Sequence, residues 1–468
     1  MTKRYPVSSA PGPLEDYASS FDDLFSARAQ RHAFRRYLEG LLLPAERNKT
    51  LTALANTEPV VGAQRKEAQS LQWFLSESGW DPEELNRRRV ELLLEDPATA
   101  PNDRGALVID ETGDRKEGKK TAHVGRQYLS SIGKIDNGVV SVSSLWADER
   151  VYYPLEVEPY TPGYHFEGGK EDPRFRTKPQ IALKLVEAAV ERGIPFRAVV
   201  GDILYGEHRG LRKGLEKKRI PYVLALKPSY AWYRPITEPG TVEEIAQLAA
   251  FGSSDDPGEW VKLSRTFRDG HSEEWWALEA ECRPFGKEKP RRLVVATTDP
   301  VELPERTTWY LLTNLPAPGS SKATESRIEA AEVAEVVRLY SLRSWIEQSY
   351  KQVKNALGWA HYQVRSDLAI RRHWQLVCCA FTFCWWANTD FLEKEAPPGV
   401  VLEEEVTSSS TSSAVERGKK GDSKPPASSV LARGTKKSEE MAGAILNAYA
   451  LLEGVLREAP TQATAKAA

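Results

Sequence analysis

The stretch "ALVIDETGD", residues 106–114, is where this chain changes texture and where its fold is decided. Its apolar run, with β-branched Val108 and Ile109, predicts a short strand that ends in acids and a Gly turn. Upstream, "LEDYASSFDDLFSARAQRHAFRRYLEGLLL" and "SLQWFLSESGWDPEELNRRRVELLLED" carry apolar residues at helical spacing. Residues 1–98 are therefore expected to form a separate helical N-terminal domain. Downstream, "VVSVSSLWADERVYYPLEVEPY" (139–160) reads as two strands around an Asp-Glu-Arg turn. It is followed by a helix at 178–193, the strand "FRAVVGD" (196–202), a short basic helix near 209–219 and the strand "YVLALK" (222–227). Strands first, then helix and strand in alternation, predict an α/β fold with a mixed sheet covered by helices.

Residues 229–318 are irregular and β-rich, with strands expected at "EWVKLSRTF", "SEEWWALEAE", "RRLVVATT" and "TTWYLLTNL"; they read as an insertion between the core segments 99–228 and 319–395. Helix returns over 327–358, and an apolar helix is expected over about 367–392. Residues 396–438, rich in Pro, Ser, Thr, Lys and Glu, bury too little to order themselves and predict a linker. A short helix near 439–457 is expected within the tail 439–468.

Lys plus Arg (64) nearly balance Asp plus Glu (66) among 468 residues, so no whole-molecule field draws the chain to nucleic acid. Binding must come from local patches such as "DRKEGKK" (114–120), "HRGLRKGLEKKR" (208–219), "RRH" (371–373) and "ERGKKGDSK" (416–424), although such runs are commonly just solvated faces. Cys282, Cys378, Cys379 and Cys384 lack zinc-site spacing and read as buried reduced thiols. His123, His165 and His208 share no metal spacing and read as structural or solvent-facing. No signal peptide opens the chain, and the apolar run at 376–387 is shorter than the ~20 residues of a membrane span. A cytoplasmic protein with no membrane partner is expected.

Between residues 340 and 354, "YSLRSWIEQSYKQVK", one helix projects Tyr340, Arg343, Glu347 and Lys354 within an arc of about 60°, beside a separate apolar stripe that includes Leu342, Ile346, Tyr350 and Val353. Arg343 and Glu347 also make an ordinary i, i+4 surface pair. Asp110 follows the strand "ALVI", and Asp202 ends the strand "FRAVV". Each has a plain alternative as a helix N-cap or turn residue. Two carboxylates on neighbouring strands with a Glu from a helix above them make an oxygen-only cage for a hard divalent cation, Mg²⁺ fitting best. Strand alternation sends Glu111 to the opposite face, and Asp114 is expected in the turn, so neither is a ligand on this reading.

Here a resemblance enters. "VIDETG", "GRQYLSSIGKIDN", "FRTKPQIAL", "VVGDILYG" and "SWIEQSYKQVKNALG" together resemble a bacterial insertion-sequence transposase of the DDE type, a DDE superfamily endonuclease, over about residues 100–390. The helix matches that superfamily's Tyr-x2-Arg-x3-Glu-x6-Lys signature at Tyr340, Arg343, Glu347 and Lys354. The resemblance implies an RNase H-like core in which Asp110, Asp202 and Glu347 are the catalytic, metal-holding acids, and Tyr340, Arg343 and Lys354 contact DNA. It implies Mg²⁺, with Mn²⁺ able to substitute, cleavage at transposon terminal inverted repeats and strand transfer into target DNA, with a homodimer on paired ends. In similar transposases a hairpin intermediate can intervene. Ile203 departs from the pattern, since relatives more often carry a small residue after the second Asp. Two other expectations share the fold: a domesticated DNA endonuclease without strand transfer, and a DNA-binding protein with a dead site. Trp260, Trp275 and Trp276 read either as base-stacking residues or as ordinary core. The N-terminal helices, with "RAQRHAFRR" (28–36) as a basic face, read as end-binding or as dimerising.

Overall fold

A computed structural model describes residues 13–44, 47–233, 239–266, 271–284, 290–387 and 399–402. The expected tail helix at 439–457, most of the 396–438 linker and the end of the 367–392 helix lie outside the described residues.

The parallel centre of the sheet is built from three strands: β1 (Ala106–Arg115), which opens on an apolar run, and the short apolar β5 (Ala198–Gly201) and β6 (Tyr222–Leu226). β2 (Gly125–Leu129), β3 (Lys134–Ala147) and β4 (Tyr152–Tyr160) extend it on one side, β3 lying antiparallel to β1. The β-rich segment continues the same sheet on the other side. β9 (Val261–Thr266), β10 (Ser272–Pro284), β11 (Arg291–Thr297) and β12 (Thr308–Thr313) form an antiparallel run whose last strand pairs with β6. A small ribbon of β7 (Ala231–Tyr233) and β8 (Pro239–Thr241) hangs on β10. The linker expectation is corrected at its start: β13 (Gly399–Leu402) pairs antiparallel with β9. The whole is a mixed α/β sheet flanked by helices, consistent with the RNase H-like expectation.

Strand β1 is longer than its sequence suggests. Gly113 and Asp114 sit inside it, paired with Val140 and Val139, not in a turn. Gly113 is there for space: a Cβ at this position would lie 2.8 Å from a Leu129 methyl and 3.1 Å from one of Val140.

Helices cover the sheet. α6 (Lys178–Glu191) starts on a capping box of Thr177 and Gln180 with Pro179 in its first turn. α7 (Ile203–Gly206), α8 (Arg209–Lys217), α9 (Val242–Leu248) and α10 (Ser321–Glu325) are short. The expected single helix over 327–358 is two: α11 (Val333–Ser341) and α12 (Ser344–Asn355). At the joint the amides of Leu342 and Arg343 donate to Leu339 and Tyr340, three residues back, so a tight turn interrupts the α-helical ladder.

The N-terminal helices α1 (Pro13–Ser19), α2 (Arg28–Leu42), α3 (Leu51–Leu54), α4 (Lys66–Ser76) and α5 (Pro82–Glu95) share one continuous core with the sheet layer. Their anchor is α13 (Asp367–Trp386), which packs on α2, α4, α5 and β4. Among the described residues no helix is long and apolar enough to cross a membrane. The apolar run of α13 is spent on this packing, and all four cysteines are buried free thiols.

His373 shows how tightly the layers are joined. It is fully buried; the Tyr37 hydroxyl lies 2.8 Å from Nδ1, and the Gly358 and Trp359 carbonyls lie 3.1 and 3.2 Å from Nε2. Two carbonyls at Nε2 require the proton there, so the ring is neutral and accepts from Tyr37 at Nδ1. Burial, with a smaller push from the Lys116 charge, drives its pKa down to about 3. An unfolded His titrates near ~6.5. Between the two values the unfolded chain binds the extra proton, so this stabilisation is complete above about pH 6.5 and is lost as pH falls, by up to about 1.4 kcal/mol per pH unit. Urea melts of the protein and of His373→Gln at pH 7, 6 and 5 check this: the wild-type loss should be the steeper, and equal slopes reject it.

Candidate active site

Asp110 and Asp202 come together because β1 and β5 are parallel neighbours in a fixed register. Ile109 is paired with Gly201, so each acid is the next residue on its chain. Strands in that relation lie about 4.8 Å apart. Asp202 also takes its plain role, capping α7 by accepting the Leu204 amide at 3.0 Å. Ile203 is 42% exposed, so its bulk costs the site no packing.

Above them lies α12. Arg343, at the joint between α11 and α12, reaches both ways: one guanidinium nitrogen is 3.6 Å from Asp110 Oδ2 and the other 2.8 Å from Glu347 Oε1. Asp110 and Glu347 thus lie within the span of one guanidinium. Three turns on, Lys354 Nζ is 2.7 Å from Asp114 Oδ1 and 3.3 Å from the Gly113 carbonyl. Eleven residues of helix rise about 16 Å and four of strand about 13 Å, so the two pairs staple α12 along β1. Asp114, placed in a turn by the sequence reading, is therefore the anchor of Lys354.

The electrostatics are strained in one direction. Burial raises the Asp110 carboxyl to about 8; Asp202 and Glu111 push the same way, and Arg343 opposes them. Asp202 is also raised, first by burial and then by Glu111, again against Arg343. Arg343 is held more firmly protonated by Asp110, Tyr340, Glu347 and Asp202 despite its own burial. A cation placed among these acids would relieve their mutual repulsion.

The donor set is oxygen-only and suits a hard divalent ion, yet among the described residues no three acidic, His or Cys side chains stand gathered as a metal cage. In this structure the Arg343 guanidinium bridges Asp110 and Glu347. The side chain of Glu347 is 53% exposed.

The other expected contacts sort as follows. Tyr340 is mostly buried with its ring edge against Trp309 at 5.0 Å, and burial lifts its hydroxyl to about 12. Glu111 points away toward α6 and α7, 3.1 Å from Lys178 Nζ and accepting from the Tyr205 hydroxyl at 2.8 Å. Trp260, Trp275 and Trp276 are core, Trp275 lying 4.6 Å from Trp309. His123 bridges Thr161 and Asp367, His165 meets the Val124 carbonyl, and His208 caps α8. One neighbour escaped the sequence reading: Tyr350, counted in the apolar stripe, has its hydroxyl 2.5 Å from Ser143 Oγ. Ser143 is the cross-strand partner of Asp110, and only that register could have pointed to it.

Residues 20–276 match the family described as DDE superfamily endonuclease, and residues 175–383 match the transposase DDE domain. A curated relative from Microchaete diplosiphon, the probable transposase for insertion sequence element IS701, is 31% identical over 365 residues. The alignment spans 78% of this chain and 85% of that protein.

Proposed function

The chain belongs to the DDE transposase family, and on that premise we propose that Asp110, Asp202 and Glu347 are its catalytic acids, cutting DNA at the ends of an insertion sequence and joining the freed ends to target DNA. The observation that carries this reading is the parallel register that sets Asp110 beside Asp202, under a helix whose Arg343 touches both Asp110 and Glu347.

When bound by these carboxylates, Mg²⁺ (or Mn²⁺) supplies Lewis-acid stabilisation of the attacking and leaving oxygens in an in-line phosphoryl displacement. The chain's own residues do the remainder. Asp202 is fixed by its cap to the Leu204 amide, so its free oxygen keeps a constant direction. Arg343 leaves the carboxylates for the DNA phosphate, where its planar fork makes paired hydrogen bonds. Lys354 is a positioning residue that keeps α12 in line with β1 through Asp114, and Tyr340 wedges the joint against Trp309. Water is the first nucleophile and the released 3′-OH the second, in a protein that pairs two ends as a homodimer.

The test is a gel assay of linear duplexes carrying the terminal inverted repeats, incubated with Mg²⁺, Mn²⁺ or chelator. Nicks at the repeat boundary and joined products with a second duplex are expected in either metal and absent in chelator. Cleavage without joining favours the endonuclease reading. Binding without cleavage in both metals rejects the proposal in favour of a dead site.

A further inference from the structure

Beyond Asp110 the sheet runs on into a feature that the proposed chemistry leaves unused. β2 and β3 form a hairpin in which Arg126 faces Asn137 and Tyr128 faces Ile135, so these four share one face by strand alternation. Tyr128 is 57% exposed, Ile135 60% and Ile132, in the turn, 41%. Beside this face the loop after β1 carries Lys119 and Lys120, both exposed, and the two elements border an open hollow of about 480 Å³.

The loop is built. Lys116 Nζ donates to the carbonyls of Ala360 and Tyr362 and sits 3.3 Å from the centre of the Tyr362 ring, while Asn137 donates to the carbonyls of Lys116 and Gly118. Arg115 is neutralised by Glu117 and Asp136. Among the described residues no carboxylate pairs with Arg126, Lys119 or Lys120. The hairpin thus presents uncompensated positive charge next to exposed aromatic and aliphatic surface. Five residues of β1 separate Asp110 from Arg115, about 16 Å, or roughly half a turn of duplex.

We propose that the β2–β3 hairpin and the loop after β1 are a docking track for duplex DNA flanking the cut, Arg126, Lys119 and Lys120 pairing with phosphates while Tyr128 and Ile135 pack against the sugar edges of a groove. The occupant follows from charge complementarity and from position, in line with the acids along β1. The proposal rests on the transposase reading above and names the surface on which that DNA continues.

The test measures binding of a 30-base-pair duplex by fluorescence anisotropy without divalent ions, from 50 to 300 mM KCl, alongside wild-type cleavage in Mg²⁺. Arg126→Ala with Lys119→Ala and Lys120→Ala should flatten the slope of log K against log salt by roughly 2–3 and weaken binding about 100-fold at 0.1 M salt, as three lost phosphate contacts require. Tyr128→Ser with Ile135→Ser should keep the slope and weaken binding about 10-fold. If wild type binds and cuts but the charge variant keeps its slope and affinity, the track is rejected and the catalytic reading stands. If wild type neither binds nor cuts, both fall. If Tyr128→Ser with Ile135→Ser instead changes the sedimentation of the protein without DNA, the hairpin is a contact between copies of the chain and the proposal is overturned.

Discussion

Asp110→Asn, Asp202→Asn and Glu347→Gln should each lower DNA cleavage in Mg²⁺ by about a thousandfold or more, a barrier change of about 4 kcal/mol. Each swap keeps the shape of the side chain and removes only its charge, so a fall of that size reports loss of cation binding rather than of fold. The three differ in what else they touch. Asn at 202 can still accept the Leu204 amide through its carbonyl oxygen, so α7 stays capped. Gln at 347 keeps an acceptor for Arg343. Asn at 110 removes a carboxylate that burial, Asp202 and Glu111 disfavour and Arg343 favours, so its melting temperature without metal should change little. Loss of activity with an undiminished melting temperature is the expected signature at Asp110. Retained cleavage in any of the three variants would overturn the assignment of that acid, and loss of both activity and fold at Asp110 would make it structural.

Arg89→Met should be the most destabilising single change predicted, at about 3–5 kcal/mol. Arg89 is fully buried and ties three elements together. It donates to the carbonyls of Pro154 and Leu155 on β4 at 2.8 and 2.9 Å, to Thr382 Oγ1 on α13 at 3.1 Å, and to Asn86 Oδ1 within α5 at 2.6 Å. Methionine fills much of the volume but satisfies none of these acceptors, which stay out of reach of water. The neighbouring Arg87 is a built-in control. It lies exposed on the same helix, pairing among the described residues with Glu84 and Glu91, so Arg87→Ala should leave the urea midpoint unchanged. Equal midpoints for Arg89→Met and wild type would dissolve the claim that α5 is fastened to the sheet through this side chain.

That fastening marks the main difference between what was read from the chain and what folding produced. Helical periodicity located the N-terminal helices, but their faces gave no sign that the opposing surface is α13, over 270 residues away along the chain from Arg89. Likewise the apolar run 376–387 is visible in the sequence, while its use as the hub for α2, α4, α5 and β4 depends on long-range contact. The β-rich segment was legible as strands. Its continuation of the sheet through β12 and β6 was not, because edge pairing is set by geometry between strands and leaves no local mark.

The sequence by itself singled out the candidate residues for the chemistry. Asp110 and Asp202 each follow a run of apolar strand residues, and Arg343, Glu347 and Lys354 recur at fixed spacing, because apolar runs and helical period are local properties of neighbouring residues. Only the tertiary structure decided how those side chains are engaged. The tight turn at Leu342 and Arg343 divides the expected helix, Gly113 proves to be room for Leu129 and not a turn, and Asp114 becomes the partner of Lys354. Arg343 stands between Asp110 and Glu347 because a buried carboxylate in low dielectric draws the cation within reach, and which cation that is depends on how α12 lies against β1.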